Sequence, residues 1–127
     1  MTKKGFTAIE IIVVAIFLVV VGVFFVIQKG DLQDRFINEN KKSAINAIHF
    51  NLQHFYKQNG FYPREISDKN LTAIDPNLFT DPMGRKLGEA ESDYRYESTD
   101  CEGDKCKNYS LRTKILNEND FVKSSKQ

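Results

Sequence analysis

The feature that most constrains this chain is residues 6–27, FTAIEIIVVAIFLVVVGVFFVI, an unbroken apolar run that carries one charge, Glu10. At about 1.5 Å per residue a helix of this length extends roughly 33 Å, which matches the approximately 30 Å hydrocarbon core of a bilayer. A carboxylate inside such a segment costs on the order of a few kcal/mol to insert and calls for a partner or a purpose. The run begins directly after Met1-Thr2-Lys3-Lys4-Gly5, with no A-x-A cleavage site behind it. It is therefore expected to stay in the mature protein, unlike a secretory signal peptide.

Lys4-Gly5-Phe6-Thr7-Ala8-Ile9-Glu10, followed by that aliphatic run, resembles the class III signal of type IV pilins and pseudopilins. The resemblance implies that a prepilin peptidase cuts between Gly5 and Phe6, that the new amino terminus is methylated, and that the apolar helix is kept as the assembly helix. Glycine suits the cleavage position because it has no side chain to clash with a closely approaching active site. A plainer reading is an accidental Gly-Phe at a membrane entry. For Glu10 the expectation is registry. Its carboxylate would meet the positive amino terminus of a neighbouring subunit, Phe6 after cleavage, in an apolar setting where the attraction is strong and an unpaired charge costly. The plainer alternative is a carboxylate near the membrane edge that snorkels to water.

The chain has 127 residues, so a membrane helix leaves room for one small extramembrane domain. Its 18 basic and 17 acidic residues give a net charge of +1, and loss of Lys3 and Lys4 with a leader would make it slightly negative. Neither balance suggests direct nucleic-acid binding. Lys3 and Lys4 precede the apolar run, whereas Lys29, Asp31, Asp34 and Arg35 after it are of mixed sign. By the positive-inside rule this orients a single-pass protein with its C-terminal domain outside the cytoplasm. Cys101 and Cys106 would then face an oxidising space, where a disulfide is expected.

The chain reads as a prepilin leader (1–5), a transmembrane and assembly helix (6–30), an amphipathic half of the same helix (31–58), a globular α+β head (59–116) and a polar tail (117–127). Residues Phe36, Ile37, Ala44, Ile45, Ile48, Leu52, Phe55 and Tyr56 recur at helical spacings, and no proline intervenes before Gln58. Gly30 is the expected place to bend, and any softening on assembly should centre on Gly22 or Gly30. Asn59-Gly60 and Pro63 end the helix near Gln58. The run Asn59-Gly60-Phe61-Tyr62-Pro63 resembles the way pilin and pseudopilin helices end.

Residues 64–87 read as a connecting loop with a short helical tendency around Asp68 to Ile74 and turns at Asp75-Pro76 and Asp81-Pro82-Met83-Gly84. The Asp-Pro-x-Gly element resembles one found before the sheet of major pseudopilins, although Arg85-Lys86-Leu87-Gly88 replaces the aromatic pair that often follows. Alternating runs at 93–99 and 107–115 predict an antiparallel hairpin, with Tyr94 and Tyr96 on one face of the first strand and Tyr109, Leu111, Thr113 and Ile115 on one face of the second. The tail, with Phe121 and Val122 as its only apolar anchors, is expected to be poorly ordered. The fold class is thus α+β and pilin-like, a long N-terminal helix packed on a small antiparallel sheet.

Four residues between Cys101 and Cys106 across a hairpin tip permit a structural bridge worth about 2 kcal/mol, with free thiols as the alternative. Two thiols alone do not make a metal site. His49 and His54 lie around 140° apart on a helix and cannot form an i, i+4 metal pair, so they are expected at the surface or its boundary. Asp75, Asp81, Glu89, Glu91 and Asp93 lack the regular oxygen-ligand alternation of a calcium loop and read as solvated charges. Asn70-Leu71-Thr72 and Asn108-Tyr109-Ser110 match a glycosylation sequon too common to carry weight. No catalytic grouping or phosphate loop is visible, so neither an enzyme nor a cofactor is expected.

The expected function is that of a structural subunit of a type IV pilus-like cell-surface filament, held in the membrane and then polymerised through its N-terminal helix. The resemblance implies as partners further copies of the chain, a prepilin peptidase, and an assembly platform and motor. The alternatives are a pseudopilin of a type II secretion-like system and a bitopic surface-anchored binding protein that does not polymerise.

Overall fold

The structure, a computed structural model, describes residues 5–125, so Lys3, Lys4 and most of the leader lie outside the described residues. The chain divides into two compact units, Met1–Phe36 and Ile37–Gln127. Among the described residues the elements are α1 (Ala8–Asn59), β1 (Tyr62–Pro63), a 3-10 helix (Pro76–Phe79), β2 (Tyr94–Glu102), β3 (Lys105–Thr113) and β4 (Phe121–Ser124).

In the first unit α1 continues through Gly22 and Gly30 without interruption. Valine and isoleucine are only moderate helix formers in water. In hydrocarbon, however, each backbone N–H and C=O must be satisfied within the segment, and a helix does this. Every residue from Gly5 to Gln33 is exposed. Past the apolar run, Lys29 holds its ammonium 4.7 Å from the centre of the Phe25 ring. Arg35 and Asp31 form an exposed i, i+4 pair at 3.2 Å, of small energetic weight.

In the second unit the remainder of α1 packs on a four-stranded antiparallel sheet, so the layout is α+β, as expected. β3 is the central strand: β2 pairs along one edge, and β1 and β4 pair with different stretches of it. The predicted face is the buried one. Tyr109, Leu111, Thr113 and Ile115 lie inside with Tyr94, against Ala44, Ile45, Ile48 and Leu52 of the helix. The helix stops at Asn59, where Gly60 adopts φ 77° and donates its N–H to the Tyr56 carbonyl at 2.7 Å, a left-handed cap.

Three expectations are corrected. The tail is not poorly ordered through its described length: Phe121 pairs with Thr113, Val122 with Arg112 and Lys123 with Leu111. Its few apolar side chains suffice because the free edge of β3 supplies backbone partners. The short helix lies at Pro76–Phe79 rather than around Asp68 to Ile74, because Asp75 caps it by accepting the Asn77 N–H at 3.0 Å and Pro76 opens it. Phe36 and Tyr56 of the apolar stripe are 68% and 42% exposed. Polar Asn38 and Lys41 are buried instead, 5% and 3% exposed.

These two burials have one cause. Where the chain leaves β3, the backbone of Lys114 and Leu116 needs partners, since buried peptide groups are costly unpaired. Asn38 donates to the Leu116 carbonyl at 3.1 Å and accepts the Leu116 N–H at 3.0 Å. One turn on, Lys41 donates to the Lys114 carbonyl at 3.0 Å and pairs with Asp93 at 2.8 Å. Removing one member of a buried ion pair leaves the other uncompensated, at a cost of about 3–5 kcal/mol. Lys41→Met is expected to destabilise the head by that amount in denaturant unfolding, and adding Asp93→Asn to it to recover part of the loss.

Candidate functional site

The start of α1 is built around two side chains. The Thr7 carbonyl accepts the first helical N–H, from Ile11, at 3.2 Å, which makes Thr7 the N-cap. The Thr7 N–H donates to Glu10 Oε2 at 2.8 Å, and the Glu10 N–H points back to Thr7 Oγ1 at 3.4 Å. This reciprocal pattern is a capping box, and a carboxylate there also meets the positive end of the helix dipole. Glu10 therefore has a partner within its own chain, a role that adds to the two readings offered for it. The T-x-x-E spacing is the sequence signal that carries this role.

Gly5 and Phe6 precede the cap in non-helical chain, and Phe6 is 80% exposed. Among the described residues nothing lies within 4 Å of the position a Gly5 side chain would occupy. The bond between them is thus outside the helix and not covered by any described residue. Behind it, Ile9, Ile11, Ile12, Val13, Val14, Ile16 and Phe17 expose half or more of their surface, and the residues that follow are exposed as far as Gln33. An apolar surface of this extent far exceeds the few hundred Å² that soluble monomers leave uncovered, and it calls for lipid or other apolar helices. The helix is long and apolar enough to cross a membrane as a single pass.

No protein-family model, curated protein or solved structure matches the chain.

In the head, Cys101 faces Cys106 across the hairpin and the two are bonded, with Cα atoms 4.0 Å apart. The loop between the strands is Gly103-Asp104, with Gly103 at φ 62°, as a two-residue hairpin loop with glycine first requires. The bridge joins strand ends that are already paired, a structural role. His54 is exposed, whereas His49 is partly buried and bonded to Tyr109. The sequon asparagines are engaged: Asn70 donates to the Glu65 carbonyl and Asn108 to Asp100.

The acidic residues do not converge. Among the described residues no group of three or more His, Cys, Asp or Glu side chains is placed to hold a metal. Asp75 caps the 3-10 helix, Glu89 accepts the Lys86 N–H, and Glu91 faces Arg85. Asp81 and Asp93 are not the solvated charges expected. Asp93 pairs with Lys41, and the Asp81 side chain is fully buried. Asp81 accepts the backbone N–H groups of Met83 and Arg85 at 2.9 Å and of Asp93 at 3.0 Å, which ties the Asp-Pro-Met-Gly turn to the start of β2. Burial pushes its pKa up, but those three donors and the Arg85 guanidinium outweigh it and hold the group below the ordinary 3.8.

A carboxyl depressed in the folded state stabilises fully above its ordinary value, and that stabilisation is lost as pH falls through the folded one. The Asp81 contribution should thus be complete at neutral pH, begin to fall below about pH 3.8 and be lost as pH passes through the lower, folded value. Asp81→Ala, which leaves three backbone donors unpaired, is expected to cost at least ~2 kcal/mol at pH 7 in denaturant unfolding. The gap between variant and wild type should narrow in the acid range.

Proposed function

We propose that the chain is a structural subunit of a type IV pilus-like filament, cleaved between Gly5 and Phe6, held in a membrane by residues 6–27 and then polymerised through the same helix. The observation that carries this reading is an apolar helix exposed on all sides, opened by a capped Glu10 one helical turn behind an uncovered Gly5-Phe6 bond. The resemblance of residues 4–10 to the class III signal supplies the processing step.

In this reading cleavage leaves an amino group on Phe6, next to the N–H of Thr7 that already holds Glu10. In the filament the apolar helices leave lipid and bundle, with the heads outside. Apolar surface is out of water in both places, so the transfer costs little except at the carboxylate. Glu10 offsets that cost by meeting the amino terminus of a neighbour, and only one axial stagger allows it. A prepilin peptidase, an assembly platform and a motor are the partners this requires. The head lies outside the cytoplasm, where the Cys101–Cys106 bridge persists.

The nearer rival is a pseudopilin of a secretion system, favoured by the Asp81-Pro82-Met83-Gly84 turn. A filament seen outside the cell, against a short periplasmic one, separates the two. Mass spectrometry of the mature chain is expected to find Phe6 as an N-methylated first residue. A chain that keeps Met1 would sink both assembly readings in favour of a bitopic anchor.

Glu10→Gln isolates the charge, because glutamine still serves at the third position of a capping box. Processed Glu10→Gln subunits are expected to accumulate in the membrane with filaments reduced at least tenfold on electron-microscopic counts. Assembly at the wild-type level would refute registry by Glu10.

A further inference from the structure

The head holds a directed hydrogen-bond chain that ends on a histidine. The Tyr62 hydroxyl lies 3.5 Å from Gln53 Oε1, and Gln53 Nε2 donates to the Tyr109 hydroxyl oxygen at 3.1 Å. That oxygen also bonds His49 Nδ1. With the Gln53 amide donating to Tyr109, the arrangement that satisfies all three groups is the tautomer in which Tyr109 gives its hydroxyl proton to an unprotonated His49 Nδ1. Burial pushes the Tyr109 hydroxyl up to about 12, with the Gln53 bond opposing and Tyr62 adding, so the donor keeps its proton. An imidazolium carries N–H on both nitrogens. Tyr109 would then face two donors, and its own proton would have no acceptor.

The same residue anchors the end of the chain. The Tyr109 N–H donates to Ser125 Oγ and the Tyr109 carbonyl accepts the Ser125 N–H, both at 3.2 Å. Lys123 stands directly opposite buried Leu111 in the β3–β4 register, which puts both side chains on the face that meets α1. The groups that bear on His49 are Tyr109 from β3, Lys123 from β4 and, through Gln53, Tyr62 from β1. Among the described residues no carboxylate forms a salt bridge with His49. β4 is four residues long and pairs only with β3.

We propose that His49 is a pH-sensitive latch for the C-terminal strand: uncharged, it accepts the Tyr109 proton and tolerates Lys123 beside it, and protonated, it drives β4 off the sheet while the β2–β3 hairpin stays folded. Burial first and Lys123 second hold His49 below its ordinary 6.5, which gives the sign. The docked state binds fewer protons than the open one, so docking is complete above about 6.5 and weakens as pH falls toward the lower, docked value.

The test is made on the full chain in detergent micelles. Nitrogen-15 spectra should show His49 Nδ1 unprotonated at neutral pH. Hydrogen-exchange protection at residues 122–125, corrected for intrinsic rates, should fall below pH 6.5 by up to about tenfold per pH unit relative to β2 and β3. His49→Gln should flatten this dependence, and Lys123→Met, which lets the docked value rise toward 6.5, should weaken it and make it level off at a higher pH. His54→Gln should leave it unchanged. Protection of β4 that tracks the hairpin at every pH, an Nδ1-protonated His49 at neutral pH, or a wild-type pH response in His49→Gln would each overturn the latch. Should His49→Gln fail to fold, the wild-type spectra and Lys123→Met decide alone.

Discussion

The head depends on β3 being paired along both edges. β2 takes one edge, β1 and β4 share the other, and the inner face of β3 supplies the residues that meet the helix. Apolar packing is non-directional and by itself would let the helix slide by a turn over such a face. The two-point contact of Asn38 with Leu116, and of Lys41 with Lys114 and Asp93, is directional and sits just past the end of β3. It fixes which turn of the helix lies over which residues of the sheet. The polar burials that break the helical pattern are therefore what set its register.

What the sequence makes legible here follows from range. The helix, its stop at Asn59-Gly60, the β2–β3 hairpin and the Cys101–Cys106 bridge are all written in local periodicity and turn chemistry. Asn38 and Lys41 are different, because their backbone partners, Leu116 and Lys114, lie more than seventy residues along the chain and their composition signals a solvated face. Asp81 is intermediate. Its turn is readable from Asp-Pro-x-Gly, but its burial depends on the Asp93 N–H, twelve residues on. β4 has too few apolar residues to announce itself, and it forms because a free edge of β3 is there to receive it. At the candidate site, the position of Glu10 and its cap are both local, Thr7-x-x-Glu10, and so the site is more legible than the head's polar core.

The capping box bears on how one carboxylate could serve two partners. A carboxylate offers about four lone-pair positions, and the Thr7 N–H occupies one on Oε2. The cap therefore does not consume Glu10. It orients the group at the start of the helix, facing the positive end of the helix dipole, before any neighbour arrives. In the proposed filament the incoming amino terminus would meet a carboxylate already aimed, so little side-chain entropy would be lost on pairing. A free carboxylate at the same position would first have to be ordered and stripped of water. In that proposal the cap and the registry role would be successive uses of the same side chain, the first making the second less costly.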